Sequence, residues 1–582
     1  MTPQEPSLVL PPESPAPASQ GESGFAPGER GRRPAEPRKP RTPRWLDPEL
    51  LRRWLLPVET LLAITVGAYL LMRVLDSLAT GVSFFSALFP AKAEAITAVL
   101  GNFSQATVGV LGLVITVVAI VVQLAAQRYT PKLVDLFLKD KVNIGYFLLM
   151  VTTNIYTMIL AYSAMDPLVL YYSGIFMLLL LVLNLVLLVP YFNYVFLFLT
   201  PGNIISIIRK NAKGAMERVT ADAKAHGAGN GVKSSEMRRL QSEVANSMEQ
   251  ISDISLSSVS QMDRNVALLS IRSLKDVMVD HLLIKRRMPK RWFIPQKEHF
   301  PAISTDFLHE IAVTRTWVEV KGFMDLELIF KMCIKEMPDG VSAIANSAKI
   351  VGLYAIRLKD TQVLANVIQF FNTFLRHAVN DRNPKAIYNL FYQYRLLAQE
   401  VLKVDQPLAE RICFYFKYYG QTAQQYEIPL ILITAAFDLS NLLQRAYEMN
   451  VPNLQTLLNT FLELDDNPAT QAHEFDLRSV RKAQLLFAAF LLSKGDETIV
   501  LRIFQDLKVE PKQRMMAVRK EMLAVKDRKF WEVTDRGVDF FYLDEDQKKH
   551  LEVFFTRYME PYWVERERLG SVAGSAPAGN PA

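Results

Sequence analysis

Apolar residues crowd between Leu55 and Leu199, where they form four nearly continuous runs, about 57–78, 107–127, 145–165 and 168–188. Each supplies roughly 20 residues, enough at ~1.5 Å per residue to cross the ~30 Å of bilayer hydrocarbon. The pattern predicts a transmembrane domain of four helices over residues 45–200. The apolar character of the fourth run continues through "VPYFNYVFLFL", so Pro190 is expected to kink that helix or begin an interfacial segment. From Pro201 to about Leu569 the period is that of amphipathic helices. Met237, Leu240, Val244, Met248 and Ile251 form one stripe.

Local signals punctuate this region. Asp405-Gln406-Pro407 and Glu427-Ile428-Pro429 read as helix starts, and Asn450 as a stop. Asp544 and Gln547 stand at capping-box spacing. Only "IAVTRTWVEV", Ile311–Val320, alternates enough to suggest a strand. "NLFYQYRLLAQEVL" and "CFYFKYYGQTAQQY", 24 residues apart, are alike in their aromatic pattern and raise helical-hairpin repeats, whose stacked faces bind partners; two aromatic-rich core helices are the simpler reading. The expected fold is mainly α, a four-helix transmembrane bundle followed by a helical domain over 201–569. Residues 1–44, rich in Pro, Gly, Ser and charge, and 570–582 are expected to be disordered, because neither can bury enough apolar surface to offset its entropy.

Charge fixes an orientation. The chain of 582 residues carries a net +7, much of it in "RGRRPAEPRKPRTPR" before the first run. The loop between runs two and three adds Arg128, Lys132, Lys139 and Lys141, and the flank after run four adds Arg209, Lys210 and Lys213. The opposite loops hold only Lys92. Positive residues stay on the cytoplasmic side, so both termini and the helical domain are expected there, in a multi-pass protein of the bacterial inner membrane. The basic flanks suit anionic lipid headgroups, and with no aromatics interleaved they do not suggest nucleic acid. Two cysteines, Cys333 and Cys413, provide neither a disulfide framework nor a metal pair.

After run two, Thr130-Pro131 breaks the helix. "KLVDLFLKDK" then restarts with Leu133, Leu136 and Phe137 on one face, and such a segment is expected to lie among the headgroups. The stretch "VVQLAAQRYTPKLVDLFLKDKVNIGYFLLMVTTNIYTMILAY" resembles the signature of a bacterial integral membrane protein family, domain of unknown function 2254. The matching residues are Gln123, Leu124, Ala125, Tyr129, Thr130, Pro131, Lys132, Leu133, Lys139 and Asp140. The resemblance covers about Gly109 to Tyr162, with a fainter likeness in "ISDISLSSVSQMDRNVALLSIRSL" that departs at Arg264-Asn265. It implies the membrane topology and no chemistry.

One face of run two carries small or polar residues at heptad spacing: Gly109, Gly112, Thr116, Ala119, Gln123 and Ala126. Such a face permits close helix approach, as a packing seam or at a self-association interface, or as the lining of a pore shared by several subunits. Ionisable residues within the runs are few and near their ends: Glu59, Arg73 and Asp76, the last two able to pair. Asn154 and Asn184 lie deeper and are expected to bond neighbouring helices. Coupled transport is disfavoured.

Catalytic patterns are broken wherever they begin. "HGAGNGVKSS" has Val232 where a phosphate loop needs Gly, and "HEIAV" has Val313 where a zinc-protease helix needs its second His. The basic "HLLIKRRMPKRW", His281–Trp292, reads as a solvated or lipid-facing surface. No cofactor, metal or active site is expected. Two functions stand: a membrane-anchored interaction or scaffold module whose cytoplasmic helices bind other proteins, which is preferred, and an oligomeric, mechanosensitive-like channel lined by run two.

Overall fold

The computed structural model describes residues 48–78, 93–163, 171–226, 234–465, 474–532, 534 and 536–574. The two tails expected to be disordered lie outside them, except that the last helix runs on to Gly574, and so does most of "HGAGNGVKSS". Two compact units divide the chain, Met1–Leu71 and Met72–Ala582.

Helix α1, Pro48–Leu78, contributes its first part to the smaller unit, where Thr65 returns its hydroxyl to the carbonyl of Leu61 at 2.8 Å. In the larger unit α2 (Ala93–Arg128) is followed by the short α3 (Leu133–Leu138), then α4 (Lys141–Ser163) and α5 (Tyr171–Phe198). Among the described residues four segments are long and apolar enough to cross a membrane: Glu59–Leu78, Gly101–Arg128, Lys141–Ser163 and Tyr172–Phe198, spans one to four below. The second begins earlier than the apolar run indicated. The fourth passes through Pro190 and ends only at Phe198, so Pro190 starts no separate segment. At the end of α1, the Asp76 carboxylate accepts the backbone N–H groups of Tyr172 and Ser173, capping the first turn of α5.

The remaining helices form a stack of pairs. They are α6 (Pro201–His226), α7 (Ser234–Ser260), α8 (Arg264–Ile284), α9 (Thr305–Thr314), α10 (Trp317–Glu336), α11 (Pro338–Arg357), α12 (Thr361–Asn380) and α13 (Pro384–Val401). After them come α14 (Gln406–Gln425), α15 (Pro429–Glu448), α16 (Leu454–Leu462), α17 (Glu474–Ser493), α18 (Glu497–Leu507), α19 (Lys512–Ala524), α20 (Glu545–Phe554) and α21 (Glu560–Gly574). One row runs α8, α11, α13, α15, α17 and α20, each packed on the next; the other runs α7, α10, α12, α14 and α16. First helices of successive pairs begin at Trp317, Thr361, Gln406 and Leu454, steps of 44, 45 and 48 residues, the scale of a helix-pair repeat.

Hairpin repeats are therefore present, with a different step from the one the aromatic windows indicated. Those windows are α13 and α14, neighbours in the stack rather than successive units, and their rings Phe391, Tyr394, Phe416 and Tyr419 are core, while Phe414 and Tyr418 are exposed. Phe371 stacks on Tyr394 at 4.7 Å, and Phe391 meets Phe416 at 4.7 Å. The repeated feature is instead the turn inside each pair, which places Pro338, Pro384 and Pro429 at the first position of the second helix. Caps recur as well: Asp263, Asp360, Asn383, Asp405, Asp496 and Asp544 each accept a backbone N–H from the first turn. Asp544 and Gln547 close the expected capping box. Close approach within the stack requires glycine at Gly352 and Gly420, where an added Cβ would stand 2.8 Å from Leu397 and from Ala435.

Two expectations fail here for one reason: a buried partner overrides local pattern. Ile311–Val320 is no strand. It spans the end of α9, Arg315 in left-handed conformation (φ 58°), and the start of α10, with Ile311, Trp317, Val318 and Val320 all buried. Nor is the basic "HLLIKRRMPKRW" surface throughout, although Leu283, Arg286, Arg287, Lys290 and Arg291 are exposed. His281, Leu282, Lys285, Met288 and Trp292 are buried, and the Lys285 ammonium pairs with Asp360 at 2.6 Å.

Candidate functional site

Span two has two opposite faces. Val114, Val118, Val122 and Ala126 are buried in the bundle. Gly109, Gly112, Thr116, Ala119 and Gln123 are exposed, and a Cβ added at Gly109 or Gly112 would meet nothing within 4 Å. Thr116 returns its hydroxyl to the Gly112 carbonyl at 2.8 Å. Ala126 leaves the set because a straight helix drifts ~20° per heptad, enough to carry the seventh-residue series round into the buried face. Within Met72–Ala582 the small face is thus no seam, and packing falls to the β-branched face. What it offers is a smooth outward surface.

At the end of this helix the family-like residues build a junction. Arg128 donates to Gln261 at 3.1 Å and pairs with Asp263 at 3.4 Å, while its carbonyl accepts from Ser257 at 2.6 Å and Gln261 at 3.1 Å. Lys132 pairs with Glu249 at 3.1 Å. Four side chains of α7 and its following turn therefore hold the end of span two. Thr130 is buried and Pro131 exposed where the chain turns; Tyr129, half-buried, lies under the Arg128 guanidinium at 5.3 Å.

Helix α3 faces protein rather than lipid with its apolar side. Leu133 and Phe137 are buried, and Phe137 sets its ring edge-on to Phe198 at 5.6 Å. This corrects the expectation that Leu133, Leu136 and Phe137 lie among headgroups; Val134, Leu138 and Lys139 are the exposed residues. Asp140 caps α4, accepting from the N–H groups of Val142 (2.9 Å) and Asn143 (3.1 Å). Asn143 in turn donates to the Phe137 carbonyl at 3.0 Å and accepts from Tyr191 at 3.2 Å, locking the α3–α4 corner onto span four.

The α7 partners of this junction were not singled out in the sequence, although the fainter family-like segment, Ile251–Leu274, contains three of them. Beside Glu249, burial and the Glu249 charge raise the Asp253 carboxyl above its usual range. Among the described residues no group of three or more His, Cys, Asp or Glu side chains is placed to hold a metal ion.

A family model described as a predicted membrane protein, domain of unknown function 2254, matches residues 52–281. The match takes in all four apolar helices, the junction and α7, and ends in α8, so it is wider than the signature stretch alone. No curated protein matches the chain. Among solved structures, a circular tandem repeat protein with novel repeat topology and enhanced subunit contact surfaces aligns over 82% of this chain and 99% of its own, at 13% identity and a TM-score of 0.31. That likeness is too low to carry an argument.

Proposed function

We propose that the protein is a membrane-anchored scaffold without enzymatic activity. In this reading it lies in the bacterial inner membrane with both termini and the helical stack in the cytoplasm, and copies associate through the outward face of span two. The observation that carries it is the stack of helix pairs from α7 to α17, fastened to span two through Arg128 and Lys132. Stacked pairs present continuous surfaces to protein partners. The fastening makes those surfaces move with the membrane helices. Asp76 caps a helix, so it is committed to structure rather than to carrying charge. Lys139, Lys141 and Lys210, all exposed, are available to anionic lipid, whereas Arg128, Lys132 and Arg209 have acidic partners.

A second reading has the same outward face line a pore in a ring of subunits, as its Thr116 and Gln123 would suit. The mass of the detergent-solubilised particle, measured by light scattering corrected for bound detergent, addresses both readings. A small oligomer that Gly112→Leu converts to a folded monomer supports the scaffold, because among the described residues no atom lies within 4 Å of a Cβ added there. A ring of about five or more subunits that passes ions in liposomes would replace it with the pore. A wild-type monomer would remove self-association from the proposal.

A further inference from the structure

Spans two, three and four enclose a cavity of about 240 Å³, open on one side and walled chiefly by apolar side chains such as Val110 and Leu181. An engineered apolar cavity of ~150 Å³ already admits benzene. Two polar side chains stand out in this wall, Asn154 of α4 and Asn184 of α5. Asn184 is only 9% exposed, and the Oδ1 atom of each amide is buried without a hydrogen-bond partner.

The orientation of both amides follows from their neighbours. Asn154 Nδ2 donates to the Met150 carbonyl at 2.8 Å. Asn184 Nδ2 donates to the Leu180 carbonyl at 2.8 Å and to Thr153 Oγ1 at 2.6 Å. Carbonyl oxygens only accept, so nitrogen must face them and the oxygens remain free. The nearby hydroxyls cannot supply a donor. Thr153 gives its proton to Leu149, and Thr107 directs its own to Phe103 and Ser104. Each Asn lies at least ~13 Å along its helix from either end, at ~1.5 Å per residue, too deep for bulk water to satisfy it.

We propose that this cavity is a binding site for a neutral aliphatic chain bearing a hydroxyl, whose single O–H donates to the free amide oxygen of Asn154 or of Asn184. The walls take the chain by apolar contact. Among the described residues none that lines the cavity is charged, so an ionised headgroup is disfavoured there. The two acceptors distinguish the alcohol from an ordinary hydrocarbon tail. One such hydrogen bond is worth roughly three- to tenfold in occupancy.

The test uses the full-length protein in phospholipid vesicles, photolabelled with a diazirine-bearing long-chain alcohol or the matching diazirine alkane, with labelled sites mapped to α4 and α5 by mass spectrometry. The alcohol is expected to label these helices about three- to tenfold more than the alkane, and Asn154→Leu with Asn184→Leu to abolish the excess while alkane labelling persists. If the double variant does not assemble, Asn154→Leu alone, which removes one acceptor and one local bond, is expected to reduce the excess. Equal labelling by the two probes would overturn the proposal, leaving a crevice filled by lipid tails. So would an excess that survives the substitutions, or an absence of labelling because another helix covers the opening.

Discussion

The indole N–H of Trp292 donates to Nε2 of His281 across 3.0 Å, deep in the core between α8 and α10. An N–H can be received only by a lone pair, so the imidazole is neutral and carries its proton on Nδ1, which faces Glu319 Oε1 at 2.6 Å. A neutral imidazole needs an acceptor at that position but no countercharge. Glu319→Gln keeps a carbonyl oxygen there and is expected to lower stability by no more than ~1 kcal/mol, whereas Glu319→Leu strands the donor and costs ~1–3 kcal/mol. Thermal unfolding of the two variants in the same detergent checks the order. A loss of ~3–5 kcal/mol for Glu319→Gln would show instead that a charged pair had been broken.

Asp325 gives a pH dependence whose sign is fixed by burial. The residue is 3% exposed, and burial pushes its carboxyl up to about 6 against the lowering pull of Lys321, which lies 2.9 Å away. The folded state therefore holds a proton between about pH 4 and 6 that the unfolded state has released, and stability falls as pH rises through that window. Above it the ionised form costs about 3 kcal/mol at ~1.4 kcal/mol per unit. Asp325→Asn is expected to raise the melting temperature at pH 7.5 and to flatten its dependence between pH 4.5 and 6.5. An unchanged pH profile in the variant would refute this assignment.

Much of this architecture is visible in the sequence because its physics is local. Lipid demands long apolar runs, so four of them announce four helices. Caps such as Asp405 and Asp544 act within their own turn, and the stripe from Met237 to Ile251 lies on one helix face. What was hidden depends on partners distant in the chain. Nothing near Trp292 reveals that His281 receives its N–H. In the basic "KRR" beside it, Arg286 and Arg287 are surface as they read, but Lys285 is buried and paired with Asp360. Likewise the small face of span two is plain in the sequence, but its direction is set by which side α4 packs against. The junction is half legible: Arg128 and Lys132 read as basic flanks, while Ser257 and Gln261 carry no charge to draw attention.

Asp140 is expected to matter more to stability than the more conspicuous ion pair of the junction. Lys132 and Glu249 are both well exposed, and exposed pairs contribute ~0–1 kcal/mol. Asp140 satisfies two backbone N–H groups at the start of span three, where each would otherwise lie unpaired at the edge of the bundle. Asp140→Ala is expected to cost ~0.5–2 kcal/mol and Lys132→Ala less, with Asp140→Asn between the two because its amide oxygen still caps. Melting temperatures of the three variants in one detergent test the ranking, and Lys132→Ala as the most damaging would reverse it.

Arg536 fastens the segment between α19 and α20 to the stack, together with Phe540 and the fully buried Leu543. Arg536 is buried against Asp438 of α15 and donates to its Oδ2 at 2.9 Å and to the Tyr388 carbonyl at 3.3 Å. Its guanidinium lies 4.6 Å from the Tyr388 ring, and Phe540 stacks on Phe437 at 4.4 Å beside it. Arg395 also pairs with Asp438, at 3.0 Å, so one buried carboxylate serves two arginines. Arg536→Ala leaves Asp438 with Arg395 and is expected to cost ~3 kcal/mol, the low end for a broken buried pair. Asp438→Ala strands both guanidinium groups and is expected to cost ~5 kcal/mol. Release of the segment should precede global unfolding in the Arg536 variant, because Lys526, Arg528 and Lys529 are already exposed. Trypsin is therefore expected to cut Arg536→Ala at these residues faster than the wild type while α10–α17 stay intact. Equal cutting rates would mean that Phe540 and its neighbours hold the segment without the arginine.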